Sequence, residues 1–196
     1  MIFQIIKRET CPVVKWKNGA GWTTNLLAYP PAAGIDNFDW RVSLAKLEFK
    51  ATYSVFAGID RIQILLNGRG LRLKCEGETH ALQPHQSLAF SGDALLQAEP
   101  DGCCEALNIM VRRGIYRVTH EIFNADFKTQ LNHADYVMYV VEGLFSLRMP
   151  DGNISQLGAG DLLHIQHDGY MLQTTATANA VIVAIQFSMV QEHHAS

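Results

Sequence analysis

An all-β fold, sandwich or barrel, is predicted by this 196-residue sequence, and three observations carry the prediction. Short apolar runs at 62–66, 71–75, 88–90 and 107–111 are each bounded by Gly, Asn, Asp or Pro, the punctuation of strands joined by tight turns. From Asp39 onward Trp40, Val42 and Leu44 alternate with Arg41, Ser43 and Ala45, the period of two that belongs to a strand. The chain also repeats itself: Gly68, Gly77, Leu82 and Phe90 stand 75 residues before Gly143, Gly152, Leu157 and Ile165. Leu65-Leu66-Asn67-Gly68 in one half answers Val140-Val141-Glu142-Gly143 in the other, so one β unit is expected twice.

Taken in order, residues 2–6 form an apolar run with room for one strand. Lys7, Arg8 and Glu9 follow where an export signal would still need its hydrophobic stretch, so a cytoplasmic protein is expected. Residues 16–24 pack two indoles, Lys17, Asn18, Gly19, Gly21 and two threonines into a shaped loop whose glycines permit positive φ. A strand is expected from Thr23 to Tyr29, broken by the Pro-Pro-Ala-Ala-Gly run at 30–34, and another from Trp40. On that second strand Arg41 and Ser43 point the same way. Leu71 and Leu73 fall out of phase with Ser146 and Arg148 in the repeat, which predicts a β-bulge near Gly70. One helix is expected, over 125–134, from the spacing of Asp126, Phe127, Gln130 and Leu131.

The bulk numbers exclude several classes. At 48% hydrophobic and 18% charged the chain is an ordinary globular one, long enough to bury roughly 70% of its unfolded surface. A net charge of −3 without any basic block gives nucleic acid no electrostatic footprint, and no membrane association is expected. Cys11, Cys75, Cys103 and Cys104 lack metal-ligand spacing and read as free thiols in a reducing compartment. His80, His85, His164 and His167 read as solvated or hydrogen-bonded histidines, since neither copy of the repeat carries an H-x-H pair after its glycine; no metal and no cofactor are expected. Cys104 or Ser43 as a nucleophile would need a histidine partner that sequence cannot place. Cations and amides inside apolar strands remain. Arg41 and Arg61 lie on or at strands, and alternation puts Asn108, Met110 and Arg112 on one face. Arginine's planar fork binds carboxylates through two parallel charge-assisted hydrogen bonds.

The run Trp16-Lys17-Asn18-Gly19, Gly21 and Thr23, then Trp40-Arg41 and Ser43, Phe56, Gly58 and Arg61, and Asn108, Met110, Arg112 and Arg113 resembles the HutD/Ves family of bacterial cupin-like proteins over nearly the whole chain. The resemblance implies a bicupin, two jelly-roll-like β-barrels, here expected at 1–125 and 126–196. It gathers Lys17, Asn18, Thr23, Arg41, Ser43, Arg61, Asn108 and Arg112 into one expected ligand pocket, with Lys17 and Asn18 closing over Arg41 and Arg61. Two acids usual in the family are replaced, by Asn25 and by Ala106, which implies a more positive pocket. The expected function is metal-free binding of a small anionic metabolite in a regulatory or protective role, without turnover. HutD-like members imply histidine utilisation, with urocanate or formylglutamate as candidate ligands, and Ves-like members imply a stress response. A metal-independent isomerase or hydrolase and a metal-dependent cupin dioxygenase are the alternatives, and a homodimer stays open.

Overall fold

The structure is a computed structural model and describes residues 2–132, 134–149, 151–166 and 169–190. Its strands are β1 (Ile2–Lys7), β2 (Val13–Lys15), β3 (Gly21–Tyr29), β4 (Trp40–Leu47), β5 (Ala51–Thr52), β6 (Ile59–Asn67), β7 (Leu71–Cys75), β8 (Glu78–Leu82), β9 (Ser87–Ser91) and β10 (Leu96–Pro100). They continue as β11 (Cys104–Arg112), β12 (Tyr116–Phe123), β13 (Lys128–Leu131), β14 (Asp135–Glu142), β15 (Leu144–Arg148), β16 (Ile154–Gly158), β17 (Asp161–Gln166), β18 (Tyr170–Ala176) and β19 (Val181–Met189). Among the described residues the one helical turn is a 3-10 segment, Arg8–Thr10. Among the described residues no helix is long and apolar enough to cross a membrane. The helix expected over 125–134 is instead the short strand β13, paired with β18. Phe127 and Leu131, four apart, both reach the core from extended chain.

The chain divides into two compact units, one of Cys11–Tyr116 and one of Met1–Thr10 with Arg117–Ser196. The boundary expected at 125/126 therefore falls inside the second unit, because β12 joins a sheet of that unit in the order β1-β17-β14-β19-β12. Residues 1–10 also belong there, since β1 pairs antiparallel with β17 from Ile2 opposite Gln166 to Lys7 opposite Asp161.

Each unit is two sheets face to face. In the Cys11–Tyr116 unit the six-stranded sheet β2-β3-β4-β11-β6-β9 lies over the four-stranded β5-β10-β7-β8. Ala45, Leu47, Leu65 and Ala106 of the first sheet meet Leu71, Leu73, Leu82 and Leu96 of the second in a single core. The other unit repeats this plan with Met138, Val140, Leu163 and Ile182 against Phe145, Leu147, Leu157 and Leu172. Burying a side chain of this size contributes about 1.5–3 kcal/mol, so these layers are the main source of stability in each unit.

The duplication is visible in detail. Arg61 pairs with Phe90 in the first copy, and Tyr136 pairs with Ile165 at the matching register in the second. Between β6 and β11 the ladder skips Leu66, and between β14 and β19 it skips Val141, 75 residues on. Gly68 and Gly143 take the turn after the first strand of each copy at φ of 113° and 76°, and Gly77 and Gly152 take the next hairpin at 86° each. Near Gly70 the expected bulge is absent. Leu71 pairs with Leu82 as Phe145 pairs with Leu157, so the additional residue sits in the turn at 68–70 and the ladder runs unbroken.

Candidate functional site

The inner face of the six-stranded sheet changes character along its length. At one end Ala45, Ala106 and Leu65 lie side by side and are fully buried. One rung further come Asn25, Ser43, Asn108, Gln63 and Leu88, and one rung beyond that Ala28, Arg41, Met110, Arg61 and Phe90. Period-two alternation keeps all of these on one side of the sheet. Two arginines thus flank β11, one strand away on either side.

Both guanidinium groups reach back toward β11. Arg41, half-buried, donates through Nη1 to Met110 Sδ at 3.8 Å and through Nη2 to Asn25 Oδ1. Arg61, only 5% exposed, donates through Nη2 to Asn108 Oδ1 at 3.2 Å and through Nη1 to the Ser54 carbonyl at 3.3 Å. Three rings surround it, those of Phe90, Tyr53 and Phe56, with centroids 4.9, 5.2 and 5.5 Å from its central carbon. Its Nε is buried and unpaired. Among the described residues no carboxylate pairs with Arg41 or Arg61.

That arrangement is electrostatically unfinished. A cation removed from water costs several kcal/mol unless it is paired, and each ring face returns about 0.5–2 kcal/mol. Neutral oxygens return less than a carboxylate would. Desolvation pushes the Arg61 guanidinium down to about 10, with repulsion from Arg41 acting in the same direction. Arg41 is also lowered by desolvation. Two guanidinium groups, one buried and one half-buried, therefore share this corner of the sheet with no carboxylate beside them among the described residues.

Beside it, fully buried Gln63 donates through Nε2 to the Tyr53 hydroxyl at 2.8 Å, while its Oε1 has no partner. A cavity of about 360 Å³, lined in part by Phe38, Ser54, Phe56 and Arg112, shares Ser54 and Phe56 with the surroundings of Arg61.

Of the eight expected pocket residues, four come together: Arg41, Ser43, Arg61 and Asn108. Thr23 shares their face two residues along β3 from Asn25, but its hydroxyl is taken by the Trp16 indole N–H at 2.7 Å. Arg112 is tied to Asp39 at 3.3 Å and to the Phe38 carbonyl at 2.7 Å, which makes it an internal ion pair at the cavity rim. Lys17 and Asn18 do not close over the arginines. They occupy the β2–β3 hairpin turn, exposed, where Asn18 Oδ1 accepts from the Ala20 N–H at 3.1 Å. Gly21 of that turn lies opposite Leu47, six residues along β4 from Arg41, or about 20 Å at strand rise. Gly21 must be glycine, since a Cβ there would lie 2.4 Å from the Lys46 carbonyl oxygen. The loop's contribution to the interior is Trp16, edge-on to Tyr53 with centroids 5.7 Å apart.

Sequence reasoning missed Gln63, Tyr53 and Phe90. An amide two residues from an arginine inside an apolar strand was the available signal for Gln63. Both replaced acids have clear positions: Asn25 is the partner of Arg41, and Ala106 is fully buried in the apolar rung.

Other chemistry has less to stand on. Among the described residues no three His, Cys, Asp or Glu side chains are grouped to hold a metal ion. Two guanidinium groups in the first unit would repel one, and the matching positions of the second unit, Tyr136, Met138 and Ala184, offer poor ligands. Burial pushes the Cys104 thiol up to about 11, which removes it as a nucleophile at neutral pH. His164 Nε2 lies 2.9 Å from Asp135 Oδ1 in a buried pair, while His167 lies outside the described residues.

The HutD family model matches residues 8–183. Protein Ves of Citrobacter koseri is 33% identical over 139 residues, covering 69% of this chain and 71% of that protein. The solved structure of HutD from Pseudomonas fluorescens SBW25, obtained in a formate condition, matches with a TM-score of 0.82 at 21% identity, over 97% of this chain and all of that one. A cupin 2 conserved barrel domain protein from Leptotrichia buccalis matches with a TM-score of 0.60 at 14% identity, over 94% of this chain and 96% of that one. The fold is therefore cupin-like.

Proposed function

The chain belongs to the HutD family, and from that premise we propose that it is a cytoplasmic binding protein for a small organic acid, held in the Cys11–Tyr116 unit between Arg41 and Arg61. The observation that carries this reading is the pair of desolvated guanidinium groups converging on β11 with no carboxylate among the described residues to neutralise them. Four free cysteines fit a reducing compartment. A ligand carboxylate would supply the missing charge, taking Arg61 Nε and the outer edge of Arg41 in charge-assisted hydrogen bonds. Asn108 and Ser43 would position it from the neighbouring rung.

The resemblance to HutD and Ves suggests the physiological setting, a regulatory or protective role beside histidine utilisation or stress. Urocanate and formylglutamate are the natural first ligands to try. Binding without turnover is the reading favoured by the site, which presents cations and amides and no activated nucleophile. A homodimer would be compatible with it.

Calorimetric titration with a panel of small carboxylates tests the reading. Arg41→Ala is expected to weaken the best of them tenfold or more, since deleting one charged partner of a buried ligand typically costs about 2–5 kcal/mol and this arginine is only half-buried. Asn25→Glu is expected to do the same by supplying an internal carboxylate to Arg41. Lys17→Ala, in the distant hairpin turn, is expected to change nothing. Equal small losses from all three would mean that the acid binds elsewhere.

A further inference from the structure

The turn between β2 and β3 builds a fixed seat for one indole. The Trp16 N–H donates to the Gly21 carbonyl at 3.0 Å, and the Trp16 carbonyl accepts from the Gly19 N–H at 3.0 Å, with Gly19 at a φ of 72°. The indole N–H donates to Thr23 Oγ1 at 2.7 Å. The six-membered ring lies against Gly21, where an added Cβ would come within 3.3 Å of Trp16 Cε3 and Cζ3. Backbone, ring and indole nitrogen are thus all held by residues 16–23, and this is what the spacing of Trp16, Gly19, Gly21 and Thr23 accomplishes. From that seat Trp16 meets the ring of buried Tyr53 edge-on, at 83° with centroids 5.7 Å apart. The Tyr53 centroid stands 5.2 Å from the central carbon of Arg61, and the Tyr53 hydroxyl accepts from Gln63 Nε2 at 2.8 Å. Ser54, the next residue, offers its carbonyl to Arg61 Nη1 at 3.3 Å.

Resting on the anion site argued above, we propose that Trp16 is a positioning residue for Arg61, acting through Tyr53 and touching no ligand itself. Arg61 has no carboxylate among the described residues to orient it, so neutral oxygens and ring faces hold its guanidinium. A ring face attracts a cation wherever the ring happens to lie, so the plane of Tyr53 decides where the guanidinium comes to rest. Tyr53 itself follows the two-residue strand β5 and is tied there by its N–H to the Leu96 carbonyl at 2.9 Å. A ring carried by a loop keeps one orientation only when packing locks it. Trp16 supplies that lock, because an edge-to-face contact between rings is directional. The motif around Lys17 and Asn18 therefore serves the arginine from a distance, through the one side chain it sends inward.

Arginine side-chain NMR of the full chain tests this first without any ligand. The guanidinium of Arg61 lies among three rings, so the shift of its Nε–H, assigned by its loss in Arg61→Met, reports their orientation. Trp16→Ala is expected to move that resonance. Thr23→Val keeps the shape, removes the acceptor of the indole N–H and is expected to move it less. Trp16→Phe retains an aromatic edge and should restore most of the original position, and Trp22→Ala, which removes the exposed neighbouring indole, should leave it in place. In calorimetry with succinate, Trp16→Ala is expected to bind about three- to tenfold more weakly than the unmodified protein, and Trp16→Phe within about twofold of it. A Trp16→Ala protein with a dispersed backbone amide spectrum and an unmoved Arg61 resonance, or with unchanged succinate affinity, would overturn the positioning role and leave Trp16 as core packing alone. Should that variant fail to fold, an unmoved resonance in Thr23→Val overturns the inference instead. Absence of succinate binding to the unmodified protein would count against the anion site, while the ligand-free resonances still decide whether Trp16 sets Arg61.

Discussion

Arg61→Met is expected to reduce carboxylate binding by a hundredfold or more and, in the ligand-free protein, to leave the fold at least as stable as before. The first effect follows from burial. Arg61 is 5% exposed and has no carboxylate partner among the described residues, so an anion bound there meets a full charge with little water to screen it. Losing one such partner costs about 2–5 kcal/mol, which brackets the hundredfold figure. The second effect separates a binding arginine from a structural one. An arginine holding the fold through an ion pair costs about 3–5 kcal/mol to remove, whereas replacing buried ionic groups by well-packed apolar side chains of similar volume is often neutral or stabilising by about 1–4 kcal/mol. The three rings around the guanidinium would accept a thioether readily. Denaturant titration alongside calorimetry reads both effects. A large fall in stability would reassign Arg61 to the scaffold.

The other large effect is expected at the paired turn glycines. Gly143→Ala would place a Cβ 2.6 Å from Ala180 Cβ and 2.7 Å from its Cα, at a φ of 76° that side-chain-bearing residues rarely adopt. Gly68→Ala would place one 2.5 Å from Cys104 Cβ and 3.0 Å from its Cα, at 113°. Neither neighbour is the end of a flexible chain, so the backbone has to move. Overpacking of this kind costs about 1–3 kcal/mol and the backbone conformation about 1–3 more, giving about 2–6 kcal/mol for each change. At about 2–4 °C per kcal/mol, each variant should melt at least about 4 °C lower, and about 8–16 °C lower at a mid-range loss of about 4 kcal/mol. Gly77→Ala and Gly152→Ala serve as controls, since both glycines have positive φ and nothing within 4 Å of the added Cβ. Losses at 68 and 143 no larger than at the controls would contradict this packing in both copies.

The sequence announced the strands wherever alternation was clean. Trp40, Val42 and Leu44 against Arg41, Ser43 and Ala45 fixed both β4 and its polar face before any pairing was known. The 75-residue echo of Gly68 and Gly77 placed two hairpins per copy, because glycine at positive φ leaves a mark that substitution does not easily erase. What remained hidden depended on pairing across the chain. Phe127 and Leu131 have helical spacing, yet Thr174, far along the sequence, donates its backbone N–H to the Phe127 carbonyl and holds that segment extended. Arg112 looked like a pocket cation, and only the approach of Asp39 shows it to be neutralised. Lys17 and Asn18 shared a motif with the arginines without sharing their end of the sheet, since motif order says nothing about distance along paired strands. Gln63 was legible in principle, as the one amide beside Arg61 in β6.

If Arg41 and Arg61 together receive an anion, ¹⁵N-arginine NMR of the full chain will register it at both side chains. Titration with succinamate should move the Arg61 Nε–H resonance, identified by its loss in Arg61→Met, and the Arg41 guanidinium signals together, with one saturating isotherm. The neutral diamide succinamide should leave both in place. Movement confined to the Arg112 or Arg113 signals, or an Arg61 resonance unchanged at saturation, would contradict the claim.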